Sequence, residues 1–296
     1  MMRSQQNFEV KSTAPLCPLC GQSSQRWMLQ HGYWIRDCKG CGHRFTELHA
    51  TPDHVTTVYA DTYFNSGGAG YPDYLAEAAL LRQQGRRYAN LLKHYAKPGT
   101  MLDVGAAAGF ILQGFFDNGW QGRGIEPNAT MARHARETLN LPVEVGTLEQ
   151  LQTSEAFDLV AMIQVVGHFF DIQQAFAAAS QQTKSGGFWL IESWNYKSGM
   201  AKLLGTHWHE YSPPSVLHWF SPDSLAQFAA RYGFEEIKRG RPAKFISSAH
   251  AKSLLRYKLK PLPGGQLLLK AIALIPDGWL IPYPAEDLFW ILLQKQ

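Results

Sequence analysis

Between positions 99 and 194, short apolar runs alternate with segments of helical spacing. "MLDV", "GRGIE", "VEV", "FDLVAMIQV" and "GGFWLIES" read as strands, and helices begin near Phe110, Asn128 and Asp171. Strands alternating with helices of about ten to fifteen residues predict crossover connections, hence an α/β fold with a doubly wound parallel sheet. Ahead of this region, Leu81, Tyr88, Leu92 and Tyr95 recur at helical steps between Tyr74 and Ala96, while Arg82, Arg86 and Lys93 fall on the opposite face. "KPG" stops that helix. No internal repeat or low-complexity tract interrupts the pattern.

Composition narrows the class. With 45% hydrophobic and 18% charged residues and no apolar run near eighteen, the chain is expected to be globular without a membrane-spanning helix. Residues 1–16 lack the apolar core of a secretory signal, so a cytoplasmic location is expected. The net charge of +4 is unevenly spread: Ile237 to Pro276 holds nine basic residues and no acidic one, leaving −5 on the remainder, which has 19 basic and 24 acidic residues. A local positive surface follows, not a coat for general nucleic-acid binding.

All four cysteines fall between positions 17 and 41. Cys17 and Cys20 form one C-x-x-C pair, Cys38 and Cys41 another, and a Gly follows each pair. Two such turns can present four thiolates to a structural zinc ion. Two disulfides or a redox pair are the alternatives; the absent secretory signal and the matched spacing argue against both. His31 and His43 lie close by, but four sulfurs complete a tetrahedral shell, so both are read as surface or packing residues. "GTHWHEYSPP" raises a second metal site at His207, His209 and Glu210, without a further ligand pair nearby.

"LDVGAAAGF" puts Asp103 at a strand end and small residues at 105–109, where the backbone turns sharply and a ligand can approach it. A ligand-free tight turn is the simpler reading of that segment alone. "GIEP" ends the next strand with Glu126, placed to accept hydrogen bonds from ribose hydroxyls. Glu126 suits a nicotinamide cofactor or S-adenosylmethionine equally. Asp103 separates the two, because a carboxylate in the turn opposes a pyrophosphate but suits an ammonium.

These motifs resemble the class I S-adenosylmethionine-dependent methyltransferases, and within them the group with an amino-terminal zinc-binding module. "LDVGAAAGF", Glu126, "GTLEQL", "FDLVAMIQVVGHFFD", "TKSGGFWLIES" and "PPSVLHWFSPDSLAQFAARYGF" follow the family's order, and "LFWILLQK" resembles its antiparallel closing strand. The resemblance implies a Rossmann-like sheet and a division into a zinc ribbon at 1–50, a connector and lead-in helix at 51–98, and a methyltransferase domain at 99–296 carrying a basic insert at 241–285. It implies that Asp103, Gly105, Ala107 and Gly109, with Phe110 beyond them, turn around the methionine portion. Glu126 and Pro127 would meet the ribose, Thr147 and Leu148 would flank adenine, and Gln164 would lie beneath the sulfonium. A tyrosine-bearing lead-in folds over the cofactor in such enzymes, which makes Tyr63 and Tyr71 candidates for cofactor or substrate contact. Ala107 departs from the family's frequent Gly or Cys by one small methyl.

His168 and His218 are the candidate proton acceptors, each with a simpler reading as a loop residue satisfied by backbone. Trp194, Tyr196, Trp208, Tyr211 and Trp219 offer flat rings for a saccharide or planar acceptor, or packing for a lid. The expected reaction is O- or C-methyl transfer to a small, saccharide-type or anionic metabolite. Zinc-bearing sugar methyltransferases are similar, but they are longer and carry Glu-His where this chain has Leu217-His218. Nucleic-acid methylation is disfavoured by a ribbon region with six basic and three acidic residues. A non-catalytic cofactor-binding scaffold whose ribbon docks a partner stays open; the basic insert could lie on an anionic membrane, hold a substrate phosphate, form a dimer surface or simply pack as a hairpin on the core.

Overall fold

The computed structural model describes residues 15–65, 73–248 and 285–296, together with 252, 269, 272–276 and 279–283. Tyr71 and most of the basic insert therefore lie outside the described residues. The chain opens with three short strands: β1 (Ser24–Gln30), β2 (Tyr33–Cys38) and β3 (Arg44–Thr46). Helices α1 (Pro52–Val58) and α2 (Asp61–Asn65) follow, then α3 (Ala78–Leu92). Tyr95, expected on the apolar face of α3, lies beyond its end in a turn and is exposed, because the helical ladder stops at Leu92.

The alternating region forms as the pattern predicts. Its elements are β4 (Thr100–Val104), α4 (Phe110–Phe116), β5 (Gln121–Glu126), α5 (Ala129–Leu139), β6 (Val143–Val145), β7 (Phe157–Ile163), α6 (Ile172–Gln181) and β8 (Thr183–Trp194). Side-chain oxygens of Asn128 and Asp171 cap α5 and α6 by accepting free first-turn amides. Next come α7 (Gly199–Leu204), β9 (His218–Trp219), α8 (Pro222–Ala230), β10 (Phe234–Gly240), β11 (Lys244–Ser247), β12 (Leu280–Tyr283) and β13 (Leu288–Lys295).

The central sheet runs β10-β13-β8-β7-β4-β5-β6, and β13 is antiparallel to both neighbours. Alternation along β13 explains why both faces are covered. Phe289, Ile291 and Leu293 join the core under α6 and α8, while Trp290 and Leu292 join the core under α3, α4 and α5. Trp189 stacks on Phe234 with ring centroids 3.5 Å apart, closing the first core. Each such ring contributes roughly 1.5–3 kcal/mol by leaving water. On the other face α3 and α4 meet at Gly85 and Gly114. A methyl on Gly114 would sit 2.2 Å from the Arg82 carbonyl oxygen, so only glycine permits that approach.

A second sheet, β1-β2-β3-β9, joins the cysteine-bearing strands to a short strand far along the sequence. Arg44 pairs with Trp219 and Phe45 with His218, so the cysteine-bearing segment is completed by a strand some 170 residues later. Thr46 fixes this join, its amide donating to the Leu217 carbonyl and its hydroxyl to that of Val216. Strands β11 and β12 form a separate antiparallel pair. Among the described residues, no helix is long and apolar enough to cross a membrane.

Candidate active site

A cleft of about 1240 Å³ opens at the carboxyl ends of β4, β5 and β7. Its floor is the turn after β4. Gly105 has φ +69°, and a side chain there would press on Val165, with a Cβ 2.5 Å from Cγ1. Ala107 also has positive φ, at 47°, and its amide donates to Glu126 Oε2 at 2.9 Å. The Asn128 amide donates to Glu126 Oε1 at 2.8 Å. One carboxylate thus ties the first turn to the end of β5. Gly109 and Phe110, expected at the ligand, do not line the cleft: Gly109 starts α4, and Phe110 stacks on Tyr74 behind the wall.

Asp103 is buried at the base of the turn, and its Oδ2 has no hydrogen-bond partner among the described residues. Burial, then the Glu126 charge, raises its carboxyl to about 7. Burial raises Glu126 to about 7 as well, against the pull of the two amides. Both groups line the cleft and would gain from a cationic, hydroxyl-bearing ligand. S-adenosylmethionine, with an ammonium, a sulfonium and a ribose diol, fits this donor and acceptor set.

Other expected residues fall around the same space. Pro127, Thr147, Leu148, Gln164 and Tyr63 line it. Buried Glu149 lies beside Leu148, accepts the Phe170 amide at 2.9 Å, and is raised to about 7 by burial. Helices α1 and α2 cover the turn through rings: Tyr59, Tyr63, Phe64 and Tyr74 meet edge to face in sequence. Asn128 holds this cover by donating to the Tyr59 carbonyl at 2.9 Å and to Asp61 at 3.0 Å.

The two histidines separate. His168 faces the cleft, and its Nδ1 lies 2.7 Å from the Ser215 carbonyl and 2.7 Å from the Tyr59 hydroxyl. A carbonyl only accepts, so in the neutral ring Nδ1 carries the proton and Nε2 keeps a lone pair. Burial lowers the pKa of His168, partly opposed by the Ser215 carbonyl, so the imidazole is neutral at pH 7.

His218 requires a correction. It does not line the large cleft: Nε2 donates to the Phe169 carbonyl at 3.1 Å, and Nδ1 accepts from His43 Nε2 at 3.2 Å. Both nitrogens are used, and burial, with the nearby His168 charge adding to it, holds its pKa near 4. It fastens β9 to the ribbon and has no free lone pair for a base.

The cysteine segment forms part of the cleft. Met28, Leu29, Gln30 and His31 from the β1–β2 hairpin line it, as do Leu80, Leu81 and Arg87 of α3. Arg44 supports that wall from behind, stacking on Trp27 at 3.5 Å, pairing with Asp37 at 2.7 Å and donating to the Tyr211 hydroxyl. Of the five rings expected in a wall, Trp194, Trp208 and Tyr211 line the cleft, while Tyr196 and Trp219 pack behind them. The four cysteine sulfurs pack on the core formed with α6 and α8 and lie within 4.8 Å of one another, with Cys17–Cys41 at 3.7 Å and Cys20–Cys38 at 3.4 Å. Tetrahedral zinc with bonds of about 2.3 Å puts sulfurs about 3.8 Å apart, so the set fits that ion. Amides of Gly40 and Cys41 point at Cys38 Sγ, and with the neighbouring thiols they lower its pKa to about 7 against burial. His207, His209 and Glu210 line the cleft without forming a metal cluster; the cysteine set is the only one among the described residues.

A family model of the methyltransferase domain matches residues 77–238, more than half of the chain. The chain belongs to this methyltransferase family. The match spans α3 through β10 and so covers the cleft floor, both acidic residues and His168. Among curated proteins, the chain is similar to the ubiquinone biosynthesis O-methyltransferase of Rhodopseudomonas palustris (strain BisB18). That match is 28% identical over 138 residues, 43% of this chain and 54% of the relative. The enzyme of the same name from Paramagnetospirillum magneticum is 33% identical over 125 residues, covering 40% and 48%. The chain spans about half the length of the curated relatives it matches.

Among solved structures, the methyltransferase fold is shared with the 1,6-didemethyltoxoflavin-N1-methyltransferase of Burkholderia thailandensis. That protein was solved with its namesake compound and S-adenosylhomocysteine. The TM-score is 0.52 at 14% identity, covering 92% of this chain and 99% of the other.

Several cleft residues had no role in the sequence reading. Tyr59, Gln84 and Arg87 carry no motif of their own, and Glu149 sits inside "GTLEQL" without having been given a role. Glu192 did have a signal, since it is a single charge inside the apolar run "GGFWLIES".

Proposed function

We propose that this protein is an S-adenosylmethionine-dependent methyltransferase that methylates a hydroxyl on a small molecule. The observation that carries this is the pair of buried carboxylates, Asp103 and Glu126, that line the cleft at the turn of a methyltransferase fold, one of them with a buried oxygen that has no partner among the described residues. Asp103 would hold the ammonium, Glu126 the ribose hydroxyls, and Thr147, Leu148 and Glu149 the adenine side. When bound, the cofactor supplies an electrophilic methyl group on a sulfonium.

The residues of this chain then have defined tasks. Tyr59 and Ser215 fix the His168 ring, and its Nε2 would take the acceptor hydroxyl's proton. Trp194, partly exposed at the cleft wall and backed by buried Trp208, offers a flat face to a saccharide-type or other planar acceptor. The named O-methyltransferase relatives support a hydroxyl acceptor. Cys17, Cys20, Cys38 and Cys41 hold a structural zinc ion that keeps the hairpin wall in place.

Transfer of labelled methyl from S-adenosylmethionine into a small-molecule cell extract, sorted by mass, tests the proposal. Label should enter a hydroxyl-bearing small molecule with wild-type protein and fall at least 100-fold with His168→Ala. Label found only in nucleic acid or protein would overturn it.

A further inference from the structure

Glu192 lies near the carboxyl end of β8, two residues before its last, with no exposed surface. Its strand partners are Ile163 on β7 and Trp290 on β13. A carboxylate in such surroundings is costly unless its oxygens are met. Here three side chains donate to them: Gln164 Nε2 to Oε1 at 2.5 Å, Gln84 Nε2 to Oε2 at 2.9 Å, and the Tyr88 hydroxyl to Oε2. Three donors on two oxygens describe an acceptor-only, ionised carboxylate. All three are neutral, so dipoles meet the charge and no cation cancels it.

Gln84 and Gln164 both line the cleft. A carboxamide whose nitrogen is fixed on a carboxylate must turn its oxygen elsewhere, which orients two amide oxygens as acceptors. Gln164 is committed further, because its φ is +58° and its amide donates to the Glu192 carbonyl at 2.8 Å. Backbone and side chain of one buried residue therefore set the conformation of this part of the wall. A negative charge one side chain behind it, screened poorly by the apolar core, adds a field that favours positive charge in the cleft.

We infer that Glu192 is a positioning residue that makes the cleft prefer the sulfonium of S-adenosylmethionine over the neutral thioether of S-adenosylhomocysteine. This rests on the cofactor reading above. Its consequence is weaker retention of the spent product. A purely structural Glu192 would affect both ligands alike, because they share the ammonium, ribose and adenine.

The test is calorimetric titration of the full chain with each ligand, for wild type, Glu192→Gln and Gln84→Met. Glu192→Gln should cut the ratio of S-adenosylmethionine to S-adenosylhomocysteine affinity about ten-fold, leaving the latter's affinity within about three-fold. Gln84→Met, at a partly exposed position, keeps the charge but removes one oriented oxygen and should cut the ratio about two- to three-fold. An unchanged ratio in folded Glu192→Gln, or equal weakening of both ligands, overturns the inference. Should that variant not fold, an unchanged ratio in Gln84→Met overturns it. A wild-type protein that binds neither ligand would overturn the cofactor reading itself and this inference with it.

Discussion

Cofactor affinity should fall steeply as pH drops below 7, because Asp103 must give up a proton to meet a cation. In the free protein its carboxyl is raised to about 7 by burial and by Glu126, so it is about half protonated at neutral pH. A ligand ammonium selects the ionised form. For one such group the apparent affinity should drop about five-fold from pH 7 to pH 6, and Glu126, also raised to about 7, can only steepen this. Binding at pH 7 should release about half a proton from Asp103, seen as a binding enthalpy that changes with the ionisation enthalpy of the buffer.

The same shift has a cost to stability. A carboxyl raised from 3.8 to about 7 favours the folded state on the acid side, and this contribution is lost as pH rises through 7. Asp103→Asn should therefore raise the melting temperature of the free protein at pH 8 while abolishing cofactor binding. Affinity that is flat from pH 6 to pH 7, with no buffer-dependent enthalpy, would refute the reasoning.

Other outcomes follow from the same geometry. His218→Ala should destabilise the protein by roughly 2–4 kcal/mol, by orphaning the His43 N–H and the Phe169 carbonyl, while cofactor affinity holds; thermal melts with calorimetry check this. The purified protein should hold one zinc per chain by elemental analysis. Cys38→Ser should lower the melting temperature by about 5–10 °C while S-adenosylhomocysteine binding largely survives. Gly114→Ala should cost about 3 kcal/mol or more, or prevent folding, since the added methyl meets the Arg82 carbonyl; denaturant titration would show it.

The parts of the fold legible in the sequence were those encoded locally. Small residues at 105–109 are required by a turn with positive φ, so that turn could be read directly, while the antiparallel β13 was expected only through its resemblance to a family's closing strand. Long-range pairing could not be read. Nothing near Arg44 or Phe45 announces that a two-residue strand at His218 and Trp219 completes their sheet. That hidden pairing explains the misplaced base: His218 follows a proline-stiffened loop, as a cleft histidine would, yet the β3–β9 join turns its ring toward His43. It also explains how a cysteine-bearing hairpin reaches the substrate side, with Met28 and His31 in the cleft wall. Glu192 shows the converse, since its charge stands out in an apolar strand while its partners Gln84 and Tyr88 come from a helix about 100 residues earlier.

The most direct test of the account is calorimetric titration of S-adenosylmethionine into the full chain, alongside Asp103→Ala and Glu126→Ala. One site per chain in the wild type, lost in both variants with their folds intact, is the predicted result. Unchanged affinity in either variant, or no binding by the wild type, would contradict the assignment of this cleft as a cofactor site.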